Sequence, residues 1–298
     1  MIVSPKIILQ DAKENGYAVP SFNYYNLDVL FAVLDAAEEE DAPVIVQPYM
    51  AYFPFQHYEV FSDATLRALR QTNVSSAIHL DHCTDYDMTM RAIRAGFTSV
   101  MIDGSALPLD DNIKLTKSVV DAAKSVKVFT EAEVGHIYRV GVDANAEDEE
   151  EIAATEDCVR LVKETGVDSL AAAVGTAHGI YTKPPVINFD RIREIASSVD
   201  VPLVLHGGSG TPDDMIQEAI RCGISKINVG TELKHAWSHA MKKGLDEGEL
   251  EPRVLSAYAR EQVKNVARKK FRLFGTSGKN PEIVEKLKAE GTLQREPF

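Results

Sequence analysis

Eight short apolar runs, separated by amphipathic segments, constrain the fold of this 298-residue chain more than any other feature. The runs are "YAVPSFN", "PVIVQP", "SSAIHLDH", "SVMID", "KVFTEAEV", "SLAAAV", "VPLVLHG" and "KINVG". Most are continuous rather than alternating, as expected for parallel strands that helices cover on both faces. Eight strand–helix units in roughly 200 residues favour an α/β fold of the (β/α)8 TIM-barrel type, with a doubly wound open sheet as the alternative.

Several helix ends can also be predicted from the sequence. Asn26 is expected to cap the helix after the first strand, and Thr84 to cap a helix that stops at Gly96. Thr211, which a proline follows, is expected to open a helix that Gly223 closes.

The remainder of the chain is predicted to be a C-terminal helical extension of the barrel, over about residues 232–298. No linker rich in Pro, Gly or Ser precedes it, so residues 1–298 are expected to form a single domain. No GxGxxG or GxxxxGK[ST] motif follows the first strand, which weakens the nucleotide-binding version of the open sheet.

Composition excludes several classes of partner. A formal net charge of −13 argues against non-specific nucleic-acid binding, and no apolar run approaches the roughly 18 residues of a membrane span. The first residues lack the pattern of a secretory signal, and three cysteines make no disulfide framework. We therefore expect a cytoplasmic protein that binds neither nucleic acid nor membranes.

Seven of the eight runs carry polar side chains at, or just beyond, their C-terminal ends, where the active sites of such barrels lie. These side chains are Asn23, Asp81, His82, Asp103, Glu133, His178, His206, Asn228 and Thr231. One of them alone would usually be a core or capping residue, but three histidines and three carboxylates at one rim need another explanation. Three histidines with an open fourth position are a common catalytic zinc site, so His82, His178 and His206 are predicted to be ligands.

Two glycine-containing motifs, "HGGSG" and "NVGTEL", end the seventh and eighth strands, where barrels commonly bind phosphate. The backbone N–H groups of Gly207, Gly208 and Ser209, with the hydroxyls of Ser209 and Thr231, can surround a phosphate without any arginine. The alternative is that these glycines only allow a turn after the strand.

Together, "HLDH", "TEAEVG", "VGTAHG", "LVLHGGSG" and "KINVGTEL" resemble motifs of the zinc-dependent class II ketose-bisphosphate aldolases. The resemblance extends in order from "YAVPSFN" to "RLFGTSGK", nearly the full chain. It implies that His82, His178 and His206 bind one catalytic Zn²⁺ and that Asp81 is the catalytic acid/base. It also implies that Asp103 and Glu133 can hold zinc in an alternative, more buried position. A second divalent or monovalent cation is a further possibility.

The resemblance further implies a substrate site and an oligomer. The residues that match binding positions for the dihydroxyacetone-phosphate half are Asn23, Gly179, Gly207, Gly208, Ser209, Asn228, Val229, Gly230 and Thr231. Arg253 matches an arginine that reaches the distal phosphate from a neighbouring subunit, or it is a surface arginine at a helix start. A homodimer or homotetramer is therefore expected.

The implied reaction is reversible aldol cleavage of a ketose phosphate to dihydroxyacetone phosphate and an aldehyde. The aldehyde is glyceraldehyde 3-phosphate if the substrate is fructose or tagatose 1,6-bisphosphate. Another ketose 1-phosphate or a phosphorylated deoxy-sugar acid is an alternative substrate. Alternatives of another class are a metal-dependent hydrolase and a non-catalytic aldolase subunit.

Three further features bear on the mechanism. A Schiff-base aldolase needs a lysine inside the barrel near the rim, whereas Lys127 and Lys226 are expected at strand starts, at the opposite end. Tyr49 stands where relatives often have a serine near the substrate phosphate. The acidic segment 143–151 is interpreted as a solvated loop or as an active-site lid.

Overall fold

The computed structural model of the protein describes residues 1–48, 58–138, 152–179, 181 and 185–290. Two predictions fall outside the described residues. One concerns Tyr49, which the resemblance places near the substrate phosphate, and the other concerns the acidic segment 143–151, interpreted as a lid or a solvated loop.

Eight parallel strands close into a barrel in the order in which they occur along the chain. They are β1 (Val19–Tyr24), β2 (Val44–Pro48), β3 (Ser76–Cys83), β4 (Ser99–Ile102), β5 (Phe129–Val134), β6 (Ser169–Ala172), β7 (Leu203–Leu205) and β8 (Ile224–Val229). The barrel closes where β1 pairs with β8, with Ser21 opposite Asn228. The predicted (β/α)8 barrel is confirmed, and the open sheet is excluded.

Helices surround the barrel, and none of those in the described residues has the length and apolar character needed to cross a membrane. They are α1 (Pro5–Asn15), α2 (Leu27–Glu39), α3 (Tyr58–Gln71), α4 (Tyr86–Arg94), α5 (Leu109–Ser125), α6 (Thr155–Thr165), α7 (Phe189–Ser198), α8 (Asp213–Arg221), α9 (Thr231–Asp246), α10 (Pro252–Phe274) and α11 (Asn280–Ala289). Helices α9 to α11 form the predicted extension, in which α10 packs against α9 and α2.

One of the two predicted side-chain caps near the first strands is confirmed. The Asn26 side chain accepts a hydrogen bond from the Val29 amide at 2.8 Å and caps α2. The prediction for Thr84 was wrong, because Asp85 caps α4 instead and accepts from the Met88 amide at 2.7 Å. A carboxylate is the stronger acceptor at a helix N-terminus, where the helix dipole also favours negative charge.

The predicted role of Thr211 at the start of α8 was also wrong. The Thr211 hydroxyl donates to the carbonyl oxygen of Gly207 at 3.2 Å, so it stabilises the loop after β7 rather than the helix. Pro212 occupies the cap position without a side-chain hydrogen bond, and two aspartates follow in the first turn of α8. These carboxylates interact favourably with the positive end of the helix dipole.

Helix α1 precedes the barrel and was not predicted, although the sequence carries its end signals. Ser4 caps it, a proline follows in the first turn, and Gly16 ends it in the left-handed conformation with φ of 68°. Its buried Ile8 and Leu9 belong to the same apolar cluster as Val19 near the N-terminal end of β1. This packing covers the end of the barrel opposite the predicted site.

Candidate active site

The three predicted metal ligands lie together at the C-terminal mouth of the barrel. His82 belongs to β3, while His178 follows β6 and His206 follows β7. The ring centroid of His82 is 4.6 Å from that of His178 and 4.5 Å from that of His206. One ring nitrogen from each histidine lies within 4.8 Å of the others. The three side chains therefore converge closely enough to share one ion.

A backbone irregularity in β3 allows Asp81 and His82, which are adjacent in sequence, to face the same site. Successive side chains of a regular strand point to opposite faces. His82, however, has a φ of 47°, and the pairing between β3 and β4 shifts register between Leu80 and Cys83. A left-handed residue of this kind is uncommon outside glycine, and such strain clusters at functional sites.

The residues at the mouth fit a metal ion. His82 Nε2, His206 Nδ1 and Glu133 Oε2 are buried and make no hydrogen bond among the described residues, although the last two atoms lie 3.3 Å apart. Buried polar atoms in folded proteins nearly always have a partner, so three such atoms at one place indicate a missing ligand. His82, Asp103 and Glu133 form a second group whose donor atoms lie within 4.8 Å of one another. Imidazole nitrogens and carboxylate oxygens are the donors that Zn²⁺ accepts.

Three side-chain amides hold the Asp81 carboxylate. Asn23 and Gln47 each donate to its Oδ2 at 3.0 Å, and Asn228 donates to its Oδ1 at 3.0 Å. His82 Nε2 lies 4.0 Å from Asp81 Oδ1. Asp81 is thus a buried carboxylate in one fixed orientation beside the predicted metal ligands.

Electrostatics keep Asp81 ionised. Burial alone would raise the pKa of Asp81, but the positive charges at His82 and His206 outweigh it and lower this pKa to about 2. Burial likewise lowers the pKa of His206, yet its contacts with Glu131 and Glu133 raise it to about 10. Desolvation is also the largest influence on His82, and Asp81 and Asp103 still raise the pKa of its imidazole. The mouth is therefore a compact set of strongly interacting charges.

Glycines let the loop after β7 pack closely against the segments after β6 and at the end of β8, because neither position has room for a side chain. Gly207 has a φ of 71°, and a Cβ added there would lie 2.3 Å from the Ala177 carbonyl oxygen. A Cβ at Gly208 would lie 2.5 Å from Ile227 Cγ2. The Gly230 amide donates to Ser209 Oγ at 3.3 Å, which joins the two loops.

The other predicted substrate residues differ in their placement. Gly179 follows His178 directly and has a φ of 114°. Val229 is the last residue of β8 and its side chain is buried in the apolar core, so it offers a ligand only its backbone. Thr231 begins α9 beside these groups. Arg253 is not brought to the mouth: its side chain is 90% exposed and pairs with Glu251 at 2.9 Å.

The expected position of Lys226 was wrong, whereas Lys127 does precede β5. Lys226 is the third residue of β8, is 1% exposed, and places its Nζ 2.8 Å from Glu131 Oε2. Strand β8 begins at Ile224, before the apolar run that marked it in the sequence. Lys226 therefore lies inside the barrel, but an ion pair holds its amine rather than leaving it available to a substrate.

Two residues at the site were missed from the sequence, and each carried a weak signal. Gln47 is the polar residue of the run "PVIVQP", and it is fully buried against Asp81. Glu131 stands two residues before Glu133 in "TEAEV", and residues two apart share one face of a strand. That spacing places both carboxylates inside the barrel.

A comparison with known families assigns the chain to one of them. The model of the family described as "Fructose-bisphosphate aldolase class-II" matches residues 3–279. The chain belongs to this family. It is therefore an aldehyde-lyase, in a family that acts on phosphorylated sugars and is generally zinc-dependent.

Solved structures agree with this assignment. The YdjI aldolase from Escherichia coli K12 is 34% identical, with a TM-score of 0.85, over 94% of this chain and 100% of that one. A candidate fructose-1,6-bisphosphate aldolase from Coccidioides immitis is 26% identical, with a TM-score of 0.85, over 92% and 97%. The fructose-bisphosphate aldolase from Campylobacter jejuni, 21% identical with a TM-score of 0.78 over 94% and 97%, shows the shared fold.

Proposed function

We propose that this aldolase uses Zn²⁺, bound by His82, His178 and His206, to cleave a ketose phosphate reversibly to dihydroxyacetone phosphate and an aldehyde. The aldehyde is glyceraldehyde 3-phosphate when the substrate is fructose or tagatose 1,6-bisphosphate. The observation that carries the proposal is the convergence of the three imidazoles beside an oriented, ionised Asp81. Another ketose 1-phosphate or a phosphorylated deoxy-sugar acid is the alternative substrate.

The metal would be held by the three imidazoles, next to buried atoms that make no hydrogen bond among the described residues. When bound, it would act as a Lewis acid that withdraws electrons from the substrate's carbonyl group. Asp103 and Glu133 would provide the alternative, more buried position together with His82. The same carboxylates are the candidates for a second cation.

Asp81 would be the acid/base. In cleavage its carboxylate takes the proton of the hydroxyl next to the bond that breaks, and in condensation it returns that proton. The amides of Asn23, Gln47 and Asn228 supply its fixed orientation, because each donates one hydrogen bond to it. An ionised, acceptor-only carboxylate can receive a proton from a hydroxyl without first losing one.

The loops after β7 and β8 would hold the phosphate of the dihydroxyacetone half. Gly207, Gly208 and Ser209 face the segment 228–231, and glycine at two of these positions lets an anion approach the backbone. Binding energy from the phosphate would position the carbonyl group relative to the histidines and Asp81.

Arg253 has a role in this proposal only through a second copy of the chain. Its exposed guanidinium would reach the distal phosphate of a neighbouring subunit in a homodimer or homotetramer, and light scattering tests that assembly. The whole chain would act as one barrel domain. We also propose a cytoplasmic location, because all three cysteines are free thiols.

The deciding experiment is a coupled assay of the purified enzyme on a panel of ketose phosphates, with metal analysis of the same sample. The proposal expects cleavage of at least one ketose phosphate with release of dihydroxyacetone phosphate. Hydrolysis without carbon–carbon cleavage would favour the metal-dependent hydrolase instead. No turnover of any panel member by zinc-loaded protein would favour the non-catalytic subunit.

A further inference from the structure

A buried polar cluster lies inside the barrel below the histidines. Lys226 Nζ donates to both oxygens of Glu131, at 2.9 Å and 2.8 Å, and each side chain is 1% exposed. Ser169 Oγ donates to Glu131 Oε2 at 3.2 Å. His79 is also 1% exposed; its Nδ1 pairs with Ser99 Oγ at 2.7 Å and its Nε2 lies 3.4 Å from Lys226 Nζ. Buried charges are costly unless they are paired, and here each is paired.

This cluster reaches the metal site through one contact. Glu131 Oε1 lies 3.2 Å from His206 Nε2. A carboxylate paired with a lysine only accepts hydrogen bonds, so His206 Nε2 must be the donor. When the ring is neutral, the hydrogen on Nε2 leaves the lone pair on Nδ1, which is buried, lies 3.3 Å from Glu133 Oε2 and makes no hydrogen bond among the described residues. Glu131 thus determines which nitrogen of His206 can bind an ion.

His82 follows the same rule with the opposite nitrogen. Its Nδ1 lies 2.9 Å from Asp103 Oδ2, and its Nε2 is buried without a hydrogen-bond partner in the described part of the chain. Metal-binding histidines commonly donate their second N–H to a carboxylate, which orients the ring and makes it a better ligand. Two of the three imidazoles are therefore oriented by different carboxylates, Glu131 within β5 and Asp103 directly after β4.

We propose that Glu131, anchored by Lys226, is a positioning residue that presents His206 Nδ1 to the catalytic metal; this inference rests on the proposed zinc-dependent function. Glu131 touches neither substrate nor metal and acts only through the His206 ring. Lys226 neutralises the buried carboxylate and holds both of its oxygens. Lys226 therefore supports the metal site by holding Glu131 in place.

Two double variants separate this role from simple structural support. Glu131→Leu with Lys226→Met replaces the ion pair by apolar side chains of similar size, a change that often leaves stability unaltered. It removes the acceptor for His206 Nε2–H. Glu131→Gln with Lys226→Met also removes both charges, but the amide oxygen can still accept that hydrogen bond. Only the second variant keeps the contact that orients His206.

The measurement is zinc affinity, obtained by competition with a chelator of known affinity and paired with thermal unfolding of the metal-free proteins. The apolar double variant is expected to bind zinc about 10- to 100-fold more weakly than the wild type, the usual effect of losing such a partner. The Gln-containing variant is expected to recover most of that loss. Equal zinc affinity in the two double variants, or wild-type affinity in the apolar one, would overturn the proposal.

A measurement on the unmodified enzyme keeps the proposal falsifiable if either variant fails to fold. Long-range proton–nitrogen NMR of the zinc-loaded wild type reports which nitrogen of His206 carries hydrogen. The proposal expects hydrogen on Nε2 and zinc on Nδ1, and the opposite arrangement would overturn it. If the wild type binds no zinc, both this inference and the proposed function are wrong. If it binds zinc and only the Glu131 predictions fail, the proposed function stands.

Discussion

The cluster proposed to bind metal and the loops proposed to bind phosphate lie at the same mouth of the barrel but are built in different ways. The cluster consists of charged and polar side chains that orient one another, such as Asp103 with His82 and three amides with Asp81. The loops consist mainly of backbone that glycines allow to pack closely, with Ser209 Oγ joining one loop to the other. The cluster therefore depends on the functional groups of its side chains, whereas the loops depend on the close packing of their backbone.

This difference predicts different consequences of mutation. Removing a side chain from the cluster removes a ligand or a proton acceptor, so the chemical step should fail. Adding a side chain to the loops should displace the substrate while leaving the metal in place. Variants in each region therefore test whether the two regions are separable.

The largest effect is expected from His178→Ala. Loss of one of three protein ligands should reduce zinc affinity by more than the roughly 100-fold that loss of an outer-shell partner costs. Zinc content after dialysis and aldolase activity should both fall to background. His239→Ala, on the exposed side of α9, is the matched control and should retain both. A His178→Ala protein that keeps its zinc would remove this residue from the ligand set.

Asp81→Ala should separate chemistry from metal binding within the cluster. We expect kcat to fall by roughly 10²- to 10⁴-fold, the usual contribution of a positioned acid/base, with zinc content unchanged. Asp87→Ala, an exposed aspartate in the first turn of α4, should leave kcat unaffected. If Asp81→Ala loses zinc as completely as His178→Ala, Asp81 is a ligand and not a catalyst.

Gly208→Val should damage the loops and spare the cluster. Its Cβ would meet Ile227 Cγ2 at 2.5 Å, so the loop after β7 must move. We expect a large rise in KM and a smaller fall in kcat, because phosphate binding also positions the reacting carbons. Dihydroxyacetone phosphate should raise the Tm of the wild type but not of the variant. If calorimetry shows that the variant binds dihydroxyacetone phosphate normally, these glycines only allow a turn after β7 and do not bind the phosphate.

The smallest effect is expected from Lys270→Met in the C-terminal extension. Lys270 Nζ donates at 2.7 Å to Glu232 Oε1, which also accepts from the Gly210 amide at 3.0 Å in the loop after β7. A hydrogen bond to a charged group contributes roughly 1.5–3 kcal/mol, but Lys270 acts on the loop through Glu232, which keeps its own contact with Gly210, so KM should rise by about tenfold or less, with zinc content and kcat unchanged. Lys269→Met, which removes an exposed pair with Asp213, should change nothing. Equal KM values for the two variants would show that the extension does not support the phosphate loop.

The same contrast explains how much of the molecule could be predicted from its sequence. The barrel was predictable because eight continuous apolar runs have few other arrangements. The convergence of His82, His178 and His206 was predictable because each stands at, or just beyond, the end of such a run. Which residues of a fully buried strand face the barrel interior could not be predicted, because continuous burial carries no alternation.

That limit accounts for the particular errors. The role of Gln47 as a partner of Asp81 was not predicted. Lys226 was expected at the N-terminal end of the barrel, because the start of β8 could not be located from "KINVG" alone. Glu131 is held by Lys226, which lies 95 residues away in sequence. Its contact with His206 could not be predicted, because only the closed barrel brings these residues together. The predicted cap of α4 was wrong because the neighbouring Asp85 takes that position, and the predicted cap of α8 was wrong because the Thr211 hydroxyl bonds to the loop after β7 instead.

The central claim, that the three histidines bind the metal that the aldolase needs, has one direct test. Metal analysis and aldolase activity should be measured on one sample as purified, after exhaustive chelation, and after addition of zinc. The account predicts about one zinc per chain at a zinc–nitrogen distance of about 2.0–2.1 Å by X-ray absorption. It also predicts that activity disappears on chelation and returns with zinc. Full aldolase activity in chelated protein that retains no detectable metal would contradict it.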